Sequence, residues 1–100
     1  MNTHTQQEIV ILLHGLGRTH RSMRTLARTL ANNAYQVVNI HYPSRQFPVA
    51  GLVQYLHGEI APWCTDPSRK VHFVTHSLGG ILVRSYVKMY PPVNLGRVVM

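Results

Sequence analysis

Short apolar runs alternate with stretches whose apolar residues recur every three or four positions, and that alternation leaves few folds open to the chain. Ile9-Val10-Ile11-Leu12-Leu13 is a continuous run of strand-forming residues. Such a run suits a central strand covered on both faces. His14-Gly15-Leu16-Gly17 follows it with two glycines, so a loop begins there. Met23, Leu26, Ala27, Leu30 and Ala31 then recur at helical spacing. They predict an amphipathic helix from about His20 to Asn33, with Asn32-Asn33 as its stop. Gln36 to Ile40 is the second strand, closed by Tyr42-Pro43. Pro48 opens a second helix to about Ile60, with Leu52, Leu56 and Ile60 on its apolar face and Val49, Val53 and Tyr55 around it. Val71 to Val74 is the third strand, and the third helix runs from Leu78 to Tyr90 before Pro91-Pro92. Arg97-Val98-Val99-Met100 reads as the start of a fourth strand.

This β-α-β-α-β-α-β order predicts an α/β fold with three αβα layers and a parallel sheet joined by right-handed crossovers. One hundred residues make a single domain. In a parallel sheet, ligands bind beyond the carboxyl ends of the strands. That rule selects His14 to His20, His41 to Phe47 and the turn after the third strand. It sets aside His4, His57 and His72. Trp63, Tyr55 and Phe73 read as packing residues, as do Tyr86 and Tyr90.

Composition narrows the function classes. Ten Lys and Arg face only Glu8, Glu59 and Asp66, for a formal charge of +7. Arg21, Arg24 and Arg28 fall on the face of the first helix opposite its apolar stripe, which reads as a solvated face, so no nucleic-acid partner is expected. Cys64 is alone, so neither an internal disulfide nor a thiolate zinc site is expected. Met1 to Gln7 lack the basic and apolar regions of a secretory leader. No apolar run reaches the roughly 18 residues that span a bilayer. A cytoplasmic protein is the expectation. Gly15 and Gly17 do not extend to a dinucleotide-binding G-x-G-x-x-G, because His20 stands where the third glycine belongs. No phosphate loop occurs, and no metal or organic cofactor is expected.

Thr75-His76-Ser77-Leu78-Gly79 lies between the third strand and the third helix. A sharp turn at such a junction lifts a serine hydroxyl out of the sheet, where it can attack an acyl carbonyl. Small neighbours are needed, because the serine's backbone is strained and its surroundings press close. Threonine replaces the first glycine of G-x-S-x-G, so it must retain ordinary strand dihedrals. Gly79 and Gly80 let the helix approach the strand. The oxyanion of the intermediate needs two waiting backbone amides. One is expected from Leu78, at the helix N-terminus, and one from the first loop, at Leu16 or Gly17. His14 is expected to shape that loop. His14 and His41 are both candidates to line the substrate pocket. His76 adjoins Ser77, so their side chains diverge and His76 is not expected to serve as base. The plainer alternative makes Ser77 an ordinary helix N-cap.

Ile9 to Gly17, His41-Tyr42-Pro43-Ser44, Phe73 to Gly80 and Gly96 to Met100 together resemble the amino-terminal half of an α/β-hydrolase. The resemblance is closest to the lipase/esterase group that includes compact bacterial triacylglycerol lipases and PGAP-type inositol deacylases. It implies Ser77 as nucleophile, with Leu16 and Leu78 as oxyanion amides, acting on a small-molecule or lipid carboxylic ester. The four strands would be the third to the start of the sixth of the full fold. The family order is serine, then acid, then histidine, yet neither an acid nor a histidine follows Ser77. The expectation is therefore a C-terminally truncated domain, inactive alone. The alternative is a non-catalytic remnant or binding module of the same fold, self-associating through the unfinished edge at Val98 to Met100.

Overall fold

The computed structural model describes residues 7–100, so the leader reading of residues 1–6 lies outside it. Four strands form one sheet: β1 (Ile9–Leu13), β2 (Gln36–Ile40), β3 (Val71–Thr75) and β4 (Leu95–Val99). Three helices alternate with them: α1 (Arg24–Asn32), α2 (Val49–Ile60) and α3 (Leu78–Met89). All pairings are parallel and the sheet order is β2-β1-β3-β4. The chain thus starts in the middle of the sheet, goes out to one edge, returns, and ends at the other edge.

β1 is central, and all five of its residues are buried. Side chains alternate across a strand, so Ile9, Ile11 and Leu13 enter one core with Leu52, Leu56, Phe73, Leu82 and Tyr86 from β3, α2 and α3. Val10 and Leu12 enter a smaller core on the opposite face with Met23, against Leu26, Ala27 and Leu30 of α1. Burying a Leu or Ile side chain fully stabilises by about 1.5–3 kcal/mol. The two-faced burial of β1 is therefore what ties the three layers together.

Two boundaries and one packing residue differ from the sequence reading. The first helix begins as a 3-10 turn over His20–Met23, capped by the Thr19 hydroxyl, and becomes α-helical only at Arg24. Tyr55 is 38% exposed rather than packed. β4 starts at Leu95 and has five residues, like every other strand. Its register with β3 slips between Leu95 and Val98, where three steps along β4 match two along β3. This bulge frees the Arg97 amide, which donates to His72 Nδ1 at 2.8 Å, while His72 Nε2 meets Glu8 Oε1 at 2.6 Å. Among the described residues, no helix is long and apolar enough to cross a membrane.

Candidate active site

The carboxyl ends of β1, β2 and β3 carry the loops that the sequence singled out. β3 ends at Thr75, which pairs with Leu13 as an ordinary strand residue. Ser77 then takes φ 57 and ψ −118. Such a conformation costs a non-glycine residue about 1–3 kcal/mol, so its surroundings must impose it. The His76 amide donates to the Leu13 carbonyl at 3.1 Å, and the Gly79 and Gly80 amides donate back to the His76 and Ser77 carbonyls at 3.0 Å each. α3 lies so close to β1 that a Cβ on Gly79 would be 2.8 Å from the Leu13 carbonyl oxygen. Only glycine permits that approach.

Ser77 is exposed, and its side chain makes no capping bond to α3. A capping serine has extended dihedrals and accepts from the amides of the first turn. Ser77 does neither, so the N-cap alternative does not describe it.

The loop after β1 is a tight turn over residues 15–18, in which the Arg18 amide donates to the Gly15 carbonyl at 3.1 Å. Gly17 occupies its third position with φ 70, the conformation a type II turn requires there. The turn packs against the bend at Ser77: a Cβ on Gly15 would sit 3.4 Å from Ser77 Cβ and 3.1 Å from His76 Nδ1. The Gly17 amide is already occupied, donating to Ser44 Oγ at 2.9 Å. Among the described residues, neither the Leu16 nor the Leu78 amide has an intramolecular acceptor. Both amides are therefore uncommitted: Leu78 follows Ser77 directly at a helix N-terminus, where the dipole favours negative charge, and Leu16 follows Gly15, which packs against Ser77.

His14 is completely buried. Its Nε2 accepts from the Tyr42 amide at 3.3 Å, so Nδ1 carries the proton and donates to the Gly15 carbonyl at 2.9 Å. The Tyr42 hydroxyl donates to the His14 carbonyl, and the two rings stack 4.1 Å apart. Burial holds the His14 pKa below its ordinary value and pushes that of Tyr42 up to about 12. Both stay neutral. His14 therefore offers no surface to a substrate, contrary to the pocket-lining reading; it pins the turn. His41 is exposed beside a depression of about 230 Å³ lined also by Gly17, Arg18, Ser44 and Arg45. On the other side of the turn, Arg18, Ser22, Met23 and His76 line one of about 220 Å³. A wider depression of about 500 Å³, around Tyr35, His72 and Arg97, shares no residue with this site.

Tyr42 and Ser44 are the residues that sequence reasoning missed as parts of the site. Their signal was His41-Tyr42-Pro43-Ser44 on the same edge of the sheet. Cys64 is buried at the other end of the molecule, its thiol pushed up to about 11 by desolvation.

Solved structures that share this fold include the following three. An extracellular α/β-hydrolase from a Paenibacillus species, described as sharing structural and functional homology with tobacco salicylic acid binding protein 2, superposes with a TM-score of 0.74 at 15% identity, over 91% of this chain and 38% of its own. A probable hydrolytic enzyme from Pseudomonas aeruginosa PAO1 superposes with a TM-score of 0.68 at 20% identity, over 91% and 31%. The phospholipase PlaB from Legionella pneumophila gives 0.62 at 23%, over 84% and 21%. The chain thus spans well under half the length of each of these proteins. No curated protein sequence gives a significant match. The family model for palmitoyl protein thioesterase matches residues 9–99, from the first residue of β1 to the last of β4. With that match across nearly its whole length and an α/β-hydrolase fold around its strained serine, the chain belongs to the palmitoyl protein thioesterase family.

Proposed function

We propose that this chain is the nucleophile-bearing part of a serine acyl hydrolase acting on carboxylic esters or thioesters. The observation that carries the reading is Ser77: exposed, held at φ 57 and ψ −118, with its hydroxyl unused by the helix it precedes. Strain of this kind persists where it places a reacting atom.

In the proposed mechanism, Ser77 Oγ attacks the acyl carbonyl carbon and its proton passes to a general base. The carbonyl oxygen takes up the negative charge and accepts from the Leu16 and Leu78 amides. Collapse of the intermediate expels the alcohol or thiol, which leaves with the proton. Water then attacks the acyl-serine by the same route and releases the acid. The base and its orienting carboxylate are proposed to come from outside these 100 residues, since neither a histidine nor an acid follows Ser77 in them. Alone, the chain is then a weak nucleophile. Losing one oxyanion donor typically costs about 2.7–4 kcal/mol of transition-state stabilisation, so the turn that presents Leu16 contributes to the rate alongside the serine.

The test is labelling with a serine-directed fluorophosphonate, mapped by peptide mass spectrometry, in the protein as expressed and in Ser77→Ala. The expected result is a slow adduct at Ser77, formed only at high probe concentration because the base is not among these residues, and absent from the alanine variant. An unlabelled Ser77 in a folded protein would mean that the fold survives as a non-catalytic binding module.

A further inference from the structure

The three acidic side chains of the chain all lie toward one end of the sheet. Glu8 immediately precedes β1 and Asp66 lies in the loop before β3. Glu59 is near the end of α2, which runs back from the carboxyl edge of the sheet to the amino edge. The carboxyl edge, where Ser77 sits, carries no Asp or Glu and has Arg18 and Arg45 beside the turn. Arg45 lies directly against the turn: its Nε and Cζ would be 2.8 Å from a Cβ on Gly17. A side chain at position 17 would only push this flexible guanidinium aside, so it is the positive φ that calls for glycine there. Arg18 lines the depressions on both sides of the turn. Neither guanidinium is in an ion pair among the described residues.

The same rim is apolar as well as basic. Leu16 on the turn is 56% exposed, Phe47 in the loop after β2 is 49% exposed, and Ile81 in the first turn of α3 is 54% exposed. Apolar groups beside unpaired guanidinium groups match a ligand that is greasy at one end and anionic at the other.

We propose that Arg18 and Arg45 form a phosphate-binding mouth beside Ser77, so that the site takes acyl esters carrying a phosphate near the scissile bond. This rests on the reading of Ser77 as nucleophile. Phosphate is favoured over carboxylate because two planar forks present more N–H donors than a carboxylate's two oxygens can fill, whereas a phosphate has three oxygens for them. The phosphate could belong to a soluble ester or to a lipid headgroup, and the mouth reads the group common to both.

The test compares the binding of 1-hexanoylglycerol 3-phosphate with that of 1-hexanoylglycerol by NMR titration, in the native chain and in Ser77→Ala. The phosphate ester is expected to bind about tenfold more tightly, with the largest shifts at Gly17 and Arg45. Arg18→Gln and Arg45→Gln should each remove most of that preference, while Arg28→Gln, an equal charge change on α1, should leave it intact. Equal binding of the two esters, or an equal loss in Arg28→Gln, overturns the proposal. Co-sedimentation with phosphatidylcholine vesicles, with and without phosphatidic acid, separates the sources: retention that needs both phosphatidic acid and Arg45 assigns a headgroup, and its absence alongside binding of the soluble ester assigns a soluble substrate. Fluorophosphonate labelling run in parallel separates the two readings. Labelling at Ser77 without phosphate preference sinks only the mouth. Phosphate preference in the native chain and in Ser77→Ala, without labelling, sinks only the nucleophile.

Discussion

Single residues set the geometry of the site through bonds that cross long stretches of sequence. Ser44 fills the Gly17 amide from 27 positions away, and that bond decides which amide of the turn stays available. The sequence left Leu16 and Gly17 as alternatives because a hydroxyl's partner depends on how two loops meet. Ser44→Ala should release the Gly17 amide to solvent, accelerating its hydrogen exchange, and lower stability by about 1 kcal/mol in urea denaturation. Unchanged exchange at Gly17 would mean that the bond does not hold the turn. His14 carries a pH prediction. Its folded pKa lies below the unfolded value of 6.5 because burial disfavours the charged ring. The folded state therefore binds fewer protons than the unfolded state. Its stabilising contribution is complete above 6.5 and is lost as pH falls from there through the folded pKa. Denaturation midpoints measured down that window should decline in the native chain and decline less in His14→Gln. Parallel slopes in the two would contradict it.

At the level of elements, the central parts of all seven were legible, because each has its own apolar period. Ile9 to Leu13 could only be a doubly covered strand, and Leu52, Leu56 and Ile60 could only be one helix face. The ends were less legible. A 3-10 turn capped by the Thr19 hydroxyl precedes the first helix, and β4 begins before a bulge that only its pairing with β3 reveals. The docking of α3 on β1 was readable from Gly79, and it makes a sharp prediction. Gly79→Ala places a methyl 2.8 Å from the Leu13 carbonyl oxygen, so it should destabilise by about 1–3 kcal/mol as overpacking does. A urea midpoint equal to the native one would refute the close approach. The edge strand is different. Val99 and Met100 are 53% and 61% exposed, and self-association through β4 is proposed rather than seen. Sedimentation velocity should detect a dimer fraction that grows with concentration and is suppressed in Val99→Lys. A monomer at all concentrations would remove the proposal.

Across the whole molecule, chemistry is sorted by the direction of the strands. Parallel strands deliver the Gly15 to Arg18 turn, the Tyr42-Ser44 clasp and the Ser77 bend to one edge, and leave Glu8, Asp66 and the His72 contact at or toward the other. That sorting follows from the order of elements, so the edge that carries the candidate site was readable from sequence. The clasp was not, since it arises from two loops that meet only when β1 and β2 pair. The central claim is that Ser77 faces the free amides of Leu16 and Leu78. Its most direct measurement is the amide spectrum of 15N-labelled protein before and after a fluorophosphonate adduct forms, because the phosphoryl oxygen of the adduct stands where the oxyanion would. The account predicts an adduct on Ser77 with the Leu16 and Leu78 amide protons moving furthest downfield, and Gly17, still bonded to Ser44, moving little. A Ser77 adduct that shifts Gly17 instead, or leaves Leu16 and Leu78 in place, would contradict it.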